Sequence, residues 1–396
     1  MNIKIPSDVS QIMDILISHG HEAFIVGGCV RDSIRGVLPK DWDITTSAQP
    51  DQVVEIFPRT FETGIKHGTV TVLVDRQGYE VTTFRVDGKY LDSRRPENVT
   101  FTASIKEDLS RRDFTMNAIA YNPNYGYVDP FDGRGDIEKK IIRCVGNADY
   151  RFGEDALRML RAIRFAGELG FTVDDEALKA ISARRASLAN ISAERIKEEL
   201  TRLLNSTHVE AVRLLETTGL LSYALGGHAF GGNLNQIIPW LANCPRHEHM
   251  RLALFFVWSG ESCAKILRCL RFDNKTIREV SLYVCLLQIN IPHDRYEIKK
   301  HLRQMPQERF ENLLTLKSII NPSKTELFAA IRRESQDIQA KKECYTLRDL
   351  SVNGEDLAAA GILRGKDIGD KLEELLDAVM RNPELNELLP TKIKTT

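Results

Sequence analysis

An apolar run that ends in two glycines, followed shortly by two acids one residue apart, constrains this chain more than any other feature. Ala23–Val26 leads into Gly27-Gly28-Cys29-Val30-Arg31-Asp32, and Lys40-Asp41-Trp42-Asp43-Ile44-Thr45 comes next. A short apolar run bounded by glycine reads as a buried strand that turns sharply into its neighbour. Asp41–Thr45 reads as a second strand, which would put Asp41 and Asp43 on one face with Cα atoms roughly 6–7 Å apart. Carboxylates so placed can bridge two divalent cations roughly 3.5–4 Å apart. Gly27 and Gly28 carry no Cβ, so backbone can approach phosphate oxygens there. Arg31 adds a planar, permanently charged phosphate donor. The combination predicts nucleotidyl transfer from a triphosphate. An Asp-x-Asp by itself also fits two surface acids on an edge strand, so the rest of the chain has to decide.

Residues 1 to about 145 alternate helical and strand patterns. A helix through Ser18 is predicted with Ser7 as its N-cap and Val9, Ile12, Met13, Leu16 and Ile17 on its apolar face. Strands are predicted at Ala23–Val26, Asp41–Thr45, Thr69–Val74 and Tyr79–Arg85, with Ile141–Val145 as a fifth, and a helix begins near Pro50. This mixture predicts a small α/β sheet domain. Beyond Gly146 the strand signals vanish and helical patterns follow one another, from Glu154–Leu169 to Lys371–Met380. Gly170 reads as a helix stop and Pro306 as a helix start.

The 396 residues suffice for two to four domains. Apolar residues at 42% and charged residues at 28% exclude a disordered or fibrous chain. The segment Met1–Pro6 has no apolar signal core, and stretches such as Leu252–Trp258 are too short to span a bilayer, so no membrane partner is expected. Seven cysteines without a C-x-x-C pair suggest free thiols in a reducing cytosol. A net charge of −1 argues against a protein dominated by nucleic-acid affinity, yet local basic runs remain. Those at Arg85–Arg112 and Arg295–Lys342 fit either solvated helix faces or phosphate contacts.

Two further motifs narrow the reading. Arg111-Arg112-Asp113-Phe114-Thr115-Met116-Asn117-Ala118 follows Ser104-x-x-Glu107, a capping-box signal. Such a group can hold phosphate and ribose, or form an exposed helix with polar pairs. In Glu154-Asp155-x-x-Arg158-x-x-Arg161-x-x-Arg164, arginine recurs every third residue. Asp155 and Arg158 at i,i+3 would be helix neighbours, offering either an acceptor–donor fork for the edge of an amino-bearing base or a surface salt bridge.

In order, these motifs resemble those of the class II tRNA nucleotidyltransferases, the CCA-adding enzymes, and the related bacterial poly(A) polymerases, in their Bacillus-like branch. Lys66-His67-Gly68-Thr69-Val70, Glu80–Arg85 and Ser192-Ala193-Glu194-Arg195-Ile196 are also similar to that family. The resemblance implies an α+β fold: a polymerase-beta-like nucleotidyltransferase head (1–145), then an elongated all-α neck (146–206), body (207–293) and tail (294–396). It implies that Asp41 and Asp43 bind Mg²⁺. It also implies that Gly27, Gly28, Arg31, Arg111, Arg112, Asp113 and Asn117 hold triphosphate and ribose. Asp155 and Arg158 would pair with the base, Arg161 and Arg164 would join the nucleotide site, and Arg195 would brace the pocket. Glu80 is either a third acid or a structural carboxylate.

The activity so implied is untemplated addition of C, C and A to a tRNA 3′ end from CTP and ATP, with pyrophosphate released by two-metal-ion transfer. A-adding, CC-adding or poly(A)-synthesising relatives share these motifs, and an inactive RNA-binding regulator is a rival from another class. A long loop over Val86–Ala103 is expected beside the site. The protein is expected to be a cytoplasmic monomer or homodimer with tRNA as its partner.

Overall fold

The computed structural model describes residues 3–65, 68–88, 99–259, 262–359, 361 and 365–394. They form two compact units, Met1–Ile238 with Ala264–Asn274, and Pro239–Cys263 with Lys275–Thr396.

The first unit holds the mixed part of the chain. Its strands are β1 (Ala23–Val26), β2 (Ile44–Thr46), β3 (Thr60–Gly64), β4 (Thr69–Val74), β5 (Gln77–Thr83), β6 (Arg85–Asp87), β7 (Val99–Phe101), β8 (Ala120–Asn122), β9 (Gly126–Val128), β10 (Ile141–Ile142) and β11 (Thr172–Val173). Seven of them make one sheet in the order β3-β4-β5-β2-β1-β8-β9. Neighbours are antiparallel except β2 and β5, which pair in parallel with Ile44 opposite Val81. Phe24, Val26, Phe84, Leu109, Ala118, Ala120 and Val145 form one buried cluster in this unit. The β1 strand is buried along its whole length, which explains its continuous apolar run.

Several expectations are corrected. The second strand starts at Ile44, so Asp41 and Asp43 lie on the lead-in to it. The helix Ser7–Ser18 forms, but its N-cap is Pro6, and the Ser7 hydroxyl bonds its neighbour Asp8 instead. The fifth strand shrinks to Ile141–Ile142 and pairs in parallel with Thr172–Val173, a strand in the region expected to be purely helical. Two residues are too short a run for period-2 alternation to register. The capping-box signal at Ser104 is followed by a helix, Ile105–Ser110, with Ser104 as its N-cap, whereas short helices at Gly28–Ile34, Gly133–Lys139 and Ala148–Glu154 were not predicted, for the corresponding reason. Both ends of the expected loop are strands, Arg85–Asp87 paired with Val99–Phe101. Its residues 89–98 lie outside the described residues, as do Lys66 and His67.

The second unit is helical. Asn274–Leu287, Arg295–Gln304, Gln307–Ile320, Thr325–Ala340 and Lys366–Arg381 are its larger elements. Cys344, Val352, Leu376, Val379, Met380 and Leu389 form a buried cluster there. Much of its basic stretch is spent internally. Arg295 pairs with Glu334, Asp337 and Glu343, Arg309 with Glu279, Arg332 with Glu311 and Arg303 with Glu373. Buried Lys299 donates to Glu343 at 2.8 Å and to the Met380 carbonyl at 3.1 Å. These residues hold helices together, so they are not free cations for the phosphate reading of the segment.

Candidate active site

The glycine turn, the Asp-x-Asp segment and the Arg111–Asn117 motif meet at one end of β1. Gly27 has φ +80°, a conformation that favours glycine, and its N–H donates to the Ile119 carbonyl at 3.2 Å. A Cβ at Gly27 would stand 3.0 Å from Arg112 Nη1, so the missing side chain is also what lets Arg112 reach the turn. The Val26 N–H donates to the Asp43 carbonyl at 3.0 Å, fixing the acidic segment beside the turn. Ile44 lies opposite Val81, so one residue earlier Asp43 comes alongside Glu80.

Asp43 feels both acids. It is accessible to solvent, yet enough protein surrounds it that burial raises its carboxyl pKa, and the charges of Glu80 and Asp41 push the same way while Arg112 opposes them. Negative charge is therefore concentrated here and only partly balanced. Arg112 donates to Asp108 at 3.3 Å, and its Nε is buried without a hydrogen-bond partner.

The rest of the Arg111–Asn117 motif is internally satisfied. It is a turn and one 3₁₀ segment, Thr115–Asn117, mostly buried, so the exposed-helix alternative is excluded. Asp108, fully buried, accepts from Arg111 at 2.8 Å; despite burial, Arg112 and Arg111 hold its pKa below the ordinary value. Asp113 accepts from the Phe114 N–H at 2.8 Å, from Asn117 at 3.1 Å, and from Arg161 Nε and Nη2 at 2.9 and 2.6 Å. Burial would raise its pKa, but Arg161 and Arg158 outweigh that and hold it well below the usual carboxylate range. Asn117 in turn accepts from Arg31 Nη1 at 2.7 Å, and Arg31 also forks onto Asp32 at 3.0 and 2.9 Å. Arg31 is thus a buried brace, with fewer donors available to a phosphate than its sequence position suggests.

The third motif is built differently from the single helix expected. One helix ends at Glu154 and the next starts at Leu157, with Asp155 extended between them at φ −138° and ψ 104°. Asp155 accepts from the Leu157 N–H at 3.1 Å, competing with helical continuation as N-capping acids do. Asp155 and Arg158 therefore do not share the helix face expected of them. Arg158 donates to Glu154 at 2.5 Å, to the Arg151 carbonyl at 3.2 Å and to the Arg111 carbonyl at 3.1 Å. Arg195 takes Asp155 through two bonds, at 3.3 and 2.8 Å. Arg164 is buried between Glu199 and Glu168. Sequence reasoning missed Asp108, Glu154 and Glu199. The first two had a usable signal, an acid three or four residues before an arginine; Glu199 comes from a distant helix and had none.

Among the described residues no three His, Cys, Asp or Glu side chains close into a metal cage. An open acidic group beside the Arg112 guanidinium, which is shared with Asp108, suits a metal that completes its shell with substrate phosphates.

Three families of known proteins match successive parts of the chain: the Poly A polymerase head domain over 23–143, the probable RNA and SrmB-binding site of polymerase A over 170–229, and a tRNA nucleotidyltransferase domain over 244–387. The CCA-adding enzyme of Geobacillus thermodenitrificans is 42% identical over 374 residues, covering 92% of this chain and 89% of its own. The crystal structure of the Bacillus stearothermophilus CCA-adding enzyme with CTP superposes with a TM-score of 0.81 at 34% identity, covering 96% and 94% of the two chains. That of the Thermotoga maritima CCA-adding enzyme complexed with tRNA shares the fold, with a TM-score of 0.70 at 18% identity and coverage of 96% and 92%.

Proposed function

This chain belongs to the CCA-adding enzymes, and from that membership we propose that it adds C, C and A in turn to the 3′ end of tRNA from CTP and ATP. The observation that carries the site assignment is the partly balanced acidic group of Asp43, Asp41 and Glu80 beside Gly27 and Arg112. Enzymes of this family act with a divalent metal. We assign Mg²⁺ to Asp41 and Asp43, with Glu80 as a supporting acid, because concentrated carboxylate charge lacking enough cationic partners fits a hard divalent ion. When bound, the metal would acidify the attacking hydroxyl and stabilise the charge of the phosphoryl group.

The tRNA 3′ oxygen attacks the α-phosphorus of the nucleotide, the bond to the bridging oxygen breaks, and pyrophosphate leaves. Gly27 lets the triphosphate approach the backbone, and Arg112, whose Nη1 lies beside the turn, supplies positive charge there. Asp155, held by Arg195, presents a fixed acceptor to the exocyclic amine that C and A share, and Arg158 supplies the adjacent donor by turning from Glu154 and the two carbonyls that it holds here. Uracil and guanine reverse those groups and are refused. In this reading residues 1–145 are the catalytic head, 146–206 the base-reading neck, and 207–293 and 294–396 the body and tail that hold tRNA. The free cysteines suit the cytoplasm: burial pushes Cys29 up to about 11 and Cys144 up to about 12, keeping them as thiols. Among the described residues no helix is long and apolar enough to cross a membrane.

The test uses tRNAs ending before the terminal triplet, after one C and after two, each with CTP or ATP alone. CTP use on the first two and ATP use on the third alone supports the proposal. ATP addition without CTP addition, or the reverse, replaces it with a partial activity, and no incorporation at all overturns it.

A further inference from the structure

Phe165 is where arginines from both sides of the proposed nucleotide site converge. It lies on the helix Leu157–Leu169 at 6% exposure. The guanidinium carbon of Arg164 stands 3.8 Å from its ring centroid, that of Arg31 5.3 Å and that of Arg161 5.4 Å. Phe114 meets the same ring edge-on, with centroids 5.8 Å apart and planes at 87°. Arg31 follows the glycine turn, whereas Arg161 and Arg164 belong to the helix that follows Asp155.

Three guanidiniums this close to one point repel unless each is balanced. Asp32 and Asn117 take Arg31, Asp113 takes Arg161, and Glu199 and Glu168 take Arg164. These partners settle the charge, and some are shared: Glu199 also reaches Arg161 at 3.7 Å, and Asn117 joins Arg31 to Asp113. The Phe165 ring adds what they lack, one surface near all three guanidiniums, whose electron-rich face and the cations attract each other. A leucine would fill the space and provide no such face.

We propose that Phe165 is a positioning residue for the incoming nucleotide, its ring holding Arg31 on the phosphate side in register with Arg161 and Arg164 on the base side. The proposal rests on the nucleotidyl-transfer reading of the site. It is tested in the full-length protein with Phe165→Leu and Phe165→Tyr, the first removing the π face and the second keeping it. Phe165→Met serves if the leucine variant does not fold. We expect the leucine variant to raise KM for both CTP and ATP about tenfold. Its kcat should fall by less than about threefold and its KM for tRNA should stay put, as befits a defect in nucleotide binding. The tyrosine variant should remain within about twofold of wild type, since it keeps the face.

Unchanged nucleotide KM in Phe165→Leu overturns the proposal. So does a loss shared equally by nucleotide KM, tRNA KM and thermal midpoint, the signature of a packing residue. If wild type extends no tRNA, the underlying functional reading fails instead. The equilibrium Kd for CTP then decides the role of Phe165: weakened in the leucine variant it stands, unchanged it falls.

Discussion

Acids and arginines meet twice in the first unit, with opposite results. At the glycine turn, burial, Glu80 and Asp41 together raise the Asp43 pKa against one opposing cation, Arg112. In the interior beside it, Asp113 and Asp108 are buried more deeply, yet arginines hold both below the ordinary value. Burial favours protonation in both places, and the count of facing guanidiniums decides the sign. The interior cluster is a closed frame whose charges cancel within the chain. The cluster at the turn keeps surplus negative charge at the surface, and such an arrangement persists where something outside the chain completes it.

The largest way to break this contrast is Asp41→Ala. If the surplus charge is the catalytic seat, nucleotide incorporation falls at least about a thousandfold. The circular dichroism spectrum and tRNA affinity should stay near wild type, because no described hydrogen bond of the fold depends on that side chain. Near-normal incorporation with Mg²⁺ would mean that the acids at the turn are surface residues after all.

The same contrast explains what the sequence could and could not reveal. The glycine turn was legible because it is local, and the Asp-x-Asp segment was legible as its neighbour but not as a strand, which begins only at Ile44. Ala23–Val26 and Thr69–Val74 appear with the expected bounds because their patterns were strong. The closed frame was not legible. Its partners lie far apart in sequence, Asp113 with Arg161, Asp155 with Arg195 and Arg164 with Glu199. Local spacing therefore assigned Asp155 to Arg158, and tertiary pairing assigned it to Arg195. Likewise Arg31 looked like a free phosphate donor, since nothing nearby announces that Asn117 accepts one of its protons.

Asp155 stands between the two regimes, paired with one arginine and still 14% accessible. Asp155→Ala should relax the preference for CTP over UTP by about a hundredfold in kcat/KM. Arg195→Ala leaves the acid in place but unbraced, so a smaller change of about tenfold is expected. Single-nucleotide kinetics check both. Unchanged discrimination in Asp155→Ala would assign it wholly to the frame.

The contrast also fixes opposite responses to pH. Folded Asp113 keeps its charge below its ordinary value, 3.8, so as pH falls the unfolded chain takes up protons first and stability drops. Folded Asp43 takes its proton at higher pH than the unfolded chain does. Its charge therefore costs stability near neutrality, and that cost is relieved as pH falls through the raised value. Replacing each by its neutral isostere should act in opposite directions.

Thermal midpoints of wild type, Asp43→Asn and Asp113→Asn, measured near neutral pH in EDTA, test this most directly. Asp113→Asn should melt below wild type, by roughly 1–2 kcal/mol, since it removes the carboxylate that Arg161 Nε and Nη2 share. Asp43→Asn should melt slightly above wild type, and Mg²⁺ with CTP should then raise wild type but not that variant. A fall in both midpoints would contradict the account, because Asp43 would then belong to the frame and the surplus charge assigned to the site would not exist.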